Sequence, residues 1–330
     1  NSWQGFSFFQ CFLSGSPVDK DPKEYTTGGE CPDVCDCPPT FPSAMYCDGR
    51  GLTTMPTFPS RVKYLYLQNN AITAVPDSAM VNATNLVWLI LHNNQLTSEA
   101  IGKKAFLKLE GLERLYLQHN NLTSVPPNLP RSLRDLRISH NKIEKVFQGM
   151  DNLTILYLHD NAVTDMSTSL KALKSLTLLD LSGNNIFIDA QVPEALPEGL
   201  HQLYIEFNSI DSLPEGFLGR FTQLQYVRMA HNQLTDKGIP PNTFNVTGLV
   251  ELDLSFNKLE RIPPVSTTLH HLYLQANQIK EFTLGSFCSI VDVTNFSKLQ
   301  TLRLDGNEIS RQDIPSESSL CLRQASTIKV

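Results

Sequence analysis

The chain carries a pattern of apolar and polar positions that recurs every 20 to 30 residues. Val62 opens V-K-Y-L-Y-L-Q-N-N-A-I, and Leu86 opens L-V-W-L-I-L-H-N-N-Q-L. Eleven segments fit the form L-x-x-L-x-L-x-x-N-x-L, with an apolar residue at every L and Asn at position nine. In a chain that is 41% hydrophobic, this agreement excludes chance. The segments begin at Val62, Leu86, Leu112, Leu133, Leu153, Leu176, Leu200, Leu224, Leu249, Leu269 and Leu299.

The alternation within each segment predicts a short strand over x-x-L-x-L, with positions four and six pointing into a core. Positions one and eleven enter the core from the flanking turns. The Asn amide can both donate to and accept from backbone groups of its own turn and of the adjacent repeat. This is the leucine-rich repeat, a unit that buries its apolar face only by stacking on neighbours. The sequence therefore predicts an α/β leucine-rich-repeat solenoid with a curved parallel β-sheet of eleven strands on its concave face.

The segments between the motifs predict a convex face that is mostly irregular, polyproline or short-helical. Pro76, Pro126, Pro214 and Pro263 each follow a motif closely, and proline disfavours a long helix. Exposed core residues at the two ends require caps. We expect an N-terminal extension that is flexible, a cysteine-cluster cap, repeats with one long unit near 278–307, and a C-terminal cap. Their ranges are 1–30, 31–60, 61–310 and 311–330, respectively.

Six of the seven cysteines lie in or near these caps. Four form C-x3-C-x-C-x9-C, and the other two flank the last repeat. A zinc site is disfavoured, because paired C-x2-C steps are missing and the glycosylation signals indicate an oxidising compartment, where cysteines form disulfides. The four N-terminal cysteines allow three pairings, and this reasoning leaves the choice open. We expect the other two to close a loop worth about 3–4 kcal/mol. The residues are Cys31, Cys35, Cys37 and Cys47 in the first cap and Cys288 and Cys321 in the second; Cys11 is left as a processing remnant, a free thiol or an intermolecular link.

Five N-x-[ST] sequons predict N-linked glycans. None uses a motif Asn, and none falls on an outward strand position, so the glycans should rim the sheet. The sequon residues are Asn82, Asn121, Asn152, Asn245 and Asn295.

Motif positions three, five and seven face outward from the strands and define the concave face. Seven of the nine tyrosines fall there, although strand propensity alone also favours tyrosine. Tyrosine offers a large contact area and a hydroxyl, which suits protein recognition. The same face carries charges of both signs, so we predict a protein ligand. The aromatic residues are Tyr64, Tyr66, Trp88, Tyr116, Tyr157, Tyr204, Tyr226 and Tyr273. The charged residues are Arg114, Arg137, Asp180, Glu206, Arg228, Glu251, Asp253, Arg303 and Asp305.

Composition and missing motifs exclude other classes. The net charge of -6 argues against nucleic-acid binding, and no apolar run is long enough to insert in a membrane. The apolar stretch 6–13 is either a remnant of a secretory signal or part of a fragment with an artificial start. Nucleophile-elbow, zinc-protease, P-loop and dinucleotide motifs are absent, so we expect no enzyme, no catalytic residue and no cofactor. The eight histidines are scattered, and we interpret them as surface or turn residues without a metal role.

The cysteine spacing followed at once by repeats resembles the small leucine-rich proteoglycans of the fibromodulin and lumican class. So do P-S-A-M-Y-C-D at 42–48 and L-R-L-D-G-N-E-I at 302–309, and the long unit near 278–307 is similar to the family's "ear" repeat. The resemblance implies the pairings Cys31–Cys37 and Cys35–Cys47. Family members have an acidic, tyrosine-rich N-terminal region that becomes sulfated, whereas Tyr25 is the only tyrosine in residues 1–30 here.

The resemblance also implies function: a secreted protein of the extracellular matrix that binds fibrillar collagen, type I foremost, and regulates fibril assembly, with keratan sulfate on some Asn residues. In the family a Glu and a Lys two residues later contribute to collagen binding. Here the matching residues are Glu308 and Ser310, so the lysine is absent and Arg311 is one residue further on. Glu308 and Arg311 are therefore the candidate collagen-binding residues. The alternative is a soluble leucine-rich-repeat recognition module for a receptor or for a growth factor, for instance of the TGF-beta type.

Overall fold

The predicted fold class is confirmed. The computed structural model describes residues 30–144, 150–164 and 170–330, so the expectations for Cys11 and for the extension up to residue 29 lie outside the described residues. In the described part of the chain, thirteen three-residue strands pair in chain order as one parallel sheet. The strands are β1 Ala44–Tyr46, β2 Tyr64–Tyr66, β3 Trp88–Ile90, β4 Arg114–Tyr116, β5 Asp135–Arg137, β6 Ile155–Tyr157, β7 Leu178–Asp180, β8 Gln202–Tyr204, β9 Tyr226–Arg228, β10 Glu251–Asp253, β11 His271–Tyr273, β12 Thr301–Arg303 and β13 Thr327–Lys329.

The register of the sheet aligns identical motif positions. Leu65 in β2 pairs with Leu89 in β3, which pairs with Leu115 in β4, and all three are fully buried. Because each strand is parallel to the next, every inward leucine packs on its equivalents in the neighbouring repeats. The core is therefore one continuous apolar stack that runs along the solenoid from the first cap to the second.

The motif asparagines form a hydrogen-bonded ladder along one side of this core. The Asn94 Nδ2 atom donates to the carbonyl oxygens of Leu67 and Leu91 at 3.0 Å each, and its Oδ1 accepts from the N–H of Ile72 at 3.0 Å. One amide thus satisfies backbone groups of its own repeat and of the preceding one. The contacts recur at Asn184, which bonds Leu158, Leu181 and Val163 in the same way.

The convex side contains short helices only, as the prolines predict. In the described residues there are two four-residue α-helices, α1 Val192–Ala195 and α2 Ser318–Cys321. Single 3-10 turns supply the remaining helical segments, and no described helix has the length and apolarity needed to cross a membrane. The 3-10 turns are Asp77–Met80, Ser98–Ala100, Leu170–Ala172, Asp236–Gly238, Leu284–Ser286 and Arg311–Asp313.

The two caps extend the sheet beyond the eleven strands that the motifs predict. β1 pairs with β2, and β13 pairs with β12, so each cap covers an edge of the repeat sheet with a strand of its own. This pairing satisfies edge backbone groups that would otherwise be open to another chain. The structure contains disulfides Cys31–Cys37, Cys35–Cys47 and Cys288–Cys321. The last one joins the long repeat to α2.

Candidate binding face

Parallel pairing places the fifth motif residues side by side in one row, which we call the central row. The row lies on the concave face between the rows formed by positions three and seven. All eight predicted aromatic residues lie on this face, and each is half-buried. The central row consists of Tyr66, Ile90, Tyr116, Arg137, Tyr157, Asp180, Tyr204, Arg228, Asp253, Tyr273 and Arg303.

Aromatic rings stack at the N-terminal end of the face. Phe41 stacks on Tyr64 with ring centroids 5.6 Å apart, and Trp88 meets Tyr64 edge-on at 5.0 Å. The Arg114 guanidinium continues the stack 4.4 Å above the Trp88 ring. Beside the first residue of the central row, Tyr46 of β1 stacks on Tyr66 at 4.8 Å. Phe41 and Tyr46 belong to the cap and to no motif, so the repeat pattern does not place them on this face.

Next along the face, Arg137 lies between two tyrosines and is held by a buried carboxylate. Its guanidinium is 4.4 Å from the ring centroid of Tyr116 and 5.0 Å from that of Tyr157. Its Nε and Nη2 atoms donate to Asp135 at 3.1 Å each, and the Tyr116 hydroxyl donates to Asp135 at 3.0 Å. Asp135 occupies motif position three, so the motif register alone could have identified it. Burial and the Asp135 charge raise the pKa of Tyr116.

The C-terminal half of the face is predominantly acidic. Asp180 and Glu206 come from two successive repeats, and Glu251 and Asp253 both come from the repeat that begins at Leu249. Arg228, from the repeat between, donates from Nε to Glu251 Oε2 at 3.0 Å. Burial first, then the charge of Asp253, raises the pKa of Glu206, and the nearby Arg228 only partly offsets this. The carboxylate of Glu206 is therefore held in an unfavourable environment that a cation from a partner would relieve.

The glycosylation sequons lie away from this face. Asn82, Asn121, Asn152, Asn245 and Asn295 are all exposed. They lie outside the strands, in the segments that precede or follow them. Their surface positions suit glycan attachment, which stays a prediction.

The structure pairs Glu308 with Lys280 rather than with Arg311. Oε2 of Glu308 lies 3.9 Å from Nζ of Lys280, which comes from the preceding repeat, and both side chains are exposed. Ser310 donates to Asp313 Oδ2 from its N–H at 2.7 Å and from its hydroxyl at 2.8 Å. Arg311 opens the 3-10 turn that follows. Together Glu308 and Lys280 form a small pair of opposite charges at the rim of the last repeats.

Comparisons with known proteins agree with this architecture. The sequence model "Leucine rich repeat N-terminal domain" matches residues 30–62, and "Leucine rich repeat" matches residues 60–122 and 131–186. A chain of the solved octameric complex of Latrophilin 3, Unc5D and FLRT2 (LRR) superposes with a TM-score of 0.68 at 26% identity, covering 91% of this chain and 85% of that chain. YopM from Yersinia enterocolitica has a TM-score of 0.59 at 23% identity over 87% of this chain and 64% of its own, which shows the fold alone. The protein is thus a leucine-rich-repeat solenoid.

Full-length relatives define the family more narrowly. Fibromodulin of Bos taurus is 52% identical over 323 residues, covering 97% of this chain and 84% of the relative. Fibromodulin of Gallus gallus is 54% identical over 91% of this chain and 80% of the relative, and lumican of Gallus gallus is 46% identical over 91% and 88%. The chain belongs to the fibromodulin and lumican family of leucine-rich-repeat proteins of the extracellular matrix, as the resemblance predicted.

Proposed function

We propose that this protein is secreted into the extracellular matrix, binds fibrillar collagen and regulates the assembly of its fibrils. The observation that carries the proposal is the concave face, where aromatic rings and charges of both signs run without interruption from Tyr46 to Arg303. No sequon Asn lies on a strand of this face. A face of this kind suits a protein ligand. Membership in the fibromodulin and lumican family supports collagen as that ligand.

The chemistry of a collagen rod complements this face. In the triple helix only glycine occupies the axis, so the side chains of the other two positions point outward. Lysine and arginine side chains on the rod can approach Glu206 and Asp253, whose mutual repulsion they reduce. Acidic side chains of the rod can approach Arg114, which stacks on Trp88 and has no carboxylate partner among the described residues. Both signs of charge on the face therefore have a counterpart on the ligand.

The exposed sequons support a proteoglycan form of the protein. We expect glycans on most of Asn82, Asn121, Asn152, Asn245 and Asn295, with keratan sulfate on some. Deglycosylation of secreted material in heavy-oxygen water converts each occupied Asn to a mass-labelled Asp. Digestion with keratanase tests the chain type separately. Labelling of one or none of the five residues would contradict this part of the proposal.

Fibril assembly tests the proposal directly. Soluble collagen I is warmed to form fibrils, and turbidity is followed with and without the secreted protein. We expect the wild type to change the rate and the final turbidity. The double variant Tyr157→Ala, Tyr204→Ala removes two rings of the central row and should weaken the effect about tenfold or more, as expected for aromatic anchors. Glu215→Ala, an exposed charge outside the strands, is the control and should behave like the wild type.

The acidic half of the face also suits a basic growth factor, for instance of the TGF-beta type. A protein that captures such a factor but leaves collagen assembly unchanged would favour this second function. The double variant distinguishes the two cases, because loss of only the growth-factor interaction would contradict collagen as the ligand of the central row.

A further inference from the structure

Two histidines and an aspartate meet at the sheet edge where the strands end. His140 is at motif position eight of one repeat, and His159 and Asp160 are at positions seven and eight of the next. Position eight has a positive φ in these repeats, 52° at His140 and 54° at Asp160. Because β5 pairs in register with β6, positions seven and eight of both repeats become neighbours. One ring nitrogen of each histidine and one carboxylate oxygen of Asp160 lie within 4.8 Å of one another.

The contacts around these groups hold the side chains in place. Nε2 of His140 is 3.1 Å from Oδ2 of Asp160. Nδ1 of His159 is 3.2 Å from Oδ2 of Asp180 and 2.8 Å from the Ser139 hydroxyl oxygen. A histidine whose Nδ1 is bonded to a carboxylate has its lone pair on Nε2, and this arrangement supports metal-binding histidines in general. Among the described residues, nothing hydrogen-bonds to Nε2 of His159.

A stacked ring completes the wall on the other side of His140. His119, at position eight of the repeat before, stacks on His140 with ring centroids 4.2 Å apart and planes 8° from parallel. These rings line a depression of about 360 Å³ that is open to solvent. The depression provides space for an ion with water molecules beside the two imidazoles, and Oδ2 of Asp160 lies 3.1 Å from Nε2 of His140.

The charge balance of the depression favours a cation. Arg137 also lines it, but its guanidinium already donates to Asp135 through two hydrogen bonds of 3.1 Å. Asp160 and Asp180 add two carboxylates at 3.1 and 3.2 Å from the ring nitrogens of His140 and His159. An anion would meet these carboxylates at short range, whereas a divalent cation would be attracted by both.

We propose that His140, His159 and Asp160 bind a divalent transition metal ion of the zinc type. Imidazole nitrogen with carboxylate oxygen is a donor set that suits zinc and poorly suits calcium, which takes oxygen ligands. Three protein ligands leave a fourth position for water or for a group of a partner. The site differs from the sequence-based expectation that the histidines have no metal role. The inference does not rest on the proposed binding of collagen, although Arg137 and Tyr157 of the central row also line the depression.

Calorimetric titration of the metal-free, secreted full chain with zinc chloride near neutral pH tests the site. We expect one ion per chain to bind at this site, and an equal concentration of calcium not to compete. Substituting a group that hydrogen-bonds to a zinc ligand costs about 10–100-fold in affinity, so losing a direct ligand should cost at least tenfold. His140→Gln and Asp160→Asn each remove one ligand from an exposed position, and both should show this loss. Asp180→Asn, which changes only the group behind His159, should give a smaller loss.

His231→Gln is the matched control, because His231 is also at motif position eight but stacks between Phe207 and Phe256 at 4.1 Å from each ring. The His231→Gln variant should bind zinc with the affinity of the wild type. Unchanged thermal unfolding of the metal-free variants separates loss of a ligand from loss of the fold. With cobalt as the probe, ring signals of His140 and His159 should broaden in NMR spectra and those of His201 should not. Absence of binding in the wild type, or wild-type affinity in both ligand variants, would overturn the proposal.

Discussion

Glu308 and Lys280 face each other across two successive repeats, with Oε2 and Nζ 3.9 Å apart. The family resemblance places a collagen contact at Glu308, and the structure supplies its basic partner from the preceding repeat. Glu308 and Arg311 stay predicted collagen contacts, and Lys280 adds a basic group beside Glu308.

We predict that Glu308→Ala weakens collagen binding a few-fold without abolishing it. An exposed ion pair contributes about 0–1 kcal/mol, which corresponds to at most about a fivefold change in affinity. The measurement is a binding isotherm on collagen I at physiological salt. Ser310→Lys, which recreates the family spacing, should strengthen collagen binding, although it removes the hydroxyl that donates to Asp313. If Glu308→Ala and Lys280→Ala both bind like the wild type, the contact lies elsewhere on the molecule.

We predict that Asn184→Ala destabilises the solenoid by about 1–3 kcal/mol, because buried backbone groups lose their partners. Asn184 is buried and bonds Leu158, Leu181 and Val163 at 2.9–3.1 Å. The adjacent Asn185 is exposed, and Asn185→Ala is the control, with an expected change within about 0.5 kcal/mol. Chemical denaturation of both variants gives the two free energies. Equal free energies of unfolding for the two variants would show that the asparagine ladder contributes little to the stability of the solenoid.

We predict that Glu206→Gln raises the melting temperature at neutral pH. Burial raises the pKa of Glu206 in the folded state, so the folded protein binds this proton more tightly than the unfolded chain does. The contribution of Glu206 to the free energy of unfolding is therefore fully present below its pKa in the unfolded chain, about 4.3, and is lost as the pH rises through its pKa in the folded protein. Gln mimics the protonated form, so its advantage should vanish near pH 3.5, below the ordinary carboxyl pKa. The control Glu215→Gln, at an exposed position, should leave the melting temperature unchanged at neutral pH and at low pH. A change in melting temperature for Glu206→Gln that does not depend on pH would contradict this electrostatic explanation.

We predict that Cys288→Ser loosens the C-terminal end before the middle of the solenoid. The disulfide to Cys321 closes a loop with a sequence separation of 33, worth about 3–4 kcal/mol in the chain-entropy model. Stability in a repeat protein is a sum over neighbours, so the loss should stay local. Hydrogen exchange should quicken in β12 and β13, while β6 to β8 keep their protection. Uniform acceleration along the chain would contradict local coupling, and unchanged exchange would show that the bond contributes little.

The repeat register made most of the fold predictable. Leu65 and Asn94 occupy motif positions whose burial and hydrogen bonding follow from the pattern alone. β13 was not predictable, since Thr327–Lys329 matches no motif and pairs only because β12 offers an open edge. Cap residues Phe41 and Tyr46 were missed for the same reason.

The candidate sites were predictable only in part. The concave tyrosines follow from the alternation within each strand. The pairing of Glu308 with Lys280, and of His140 with Asp160, depends on side chains from different repeats. Comparing equal motif positions in adjacent repeats would have placed His140 beside Asp160, since both are at position eight. Glu308 and Lys280 occupy different positions of their repeats, and their approach depends on turn geometry that the motif does not encode.

The most direct test of the proposed function is cosedimentation of the secreted protein with fibrils of collagen I at physiological salt. The wild type and the Glu215→Ala control should appear in the pellet with the fibrils, and the Tyr157→Ala, Tyr204→Ala double variant should remain largely in the supernatant. Wild-type protein that stays in the supernatant, at concentrations where it captures a growth factor, would contradict collagen binding as its function.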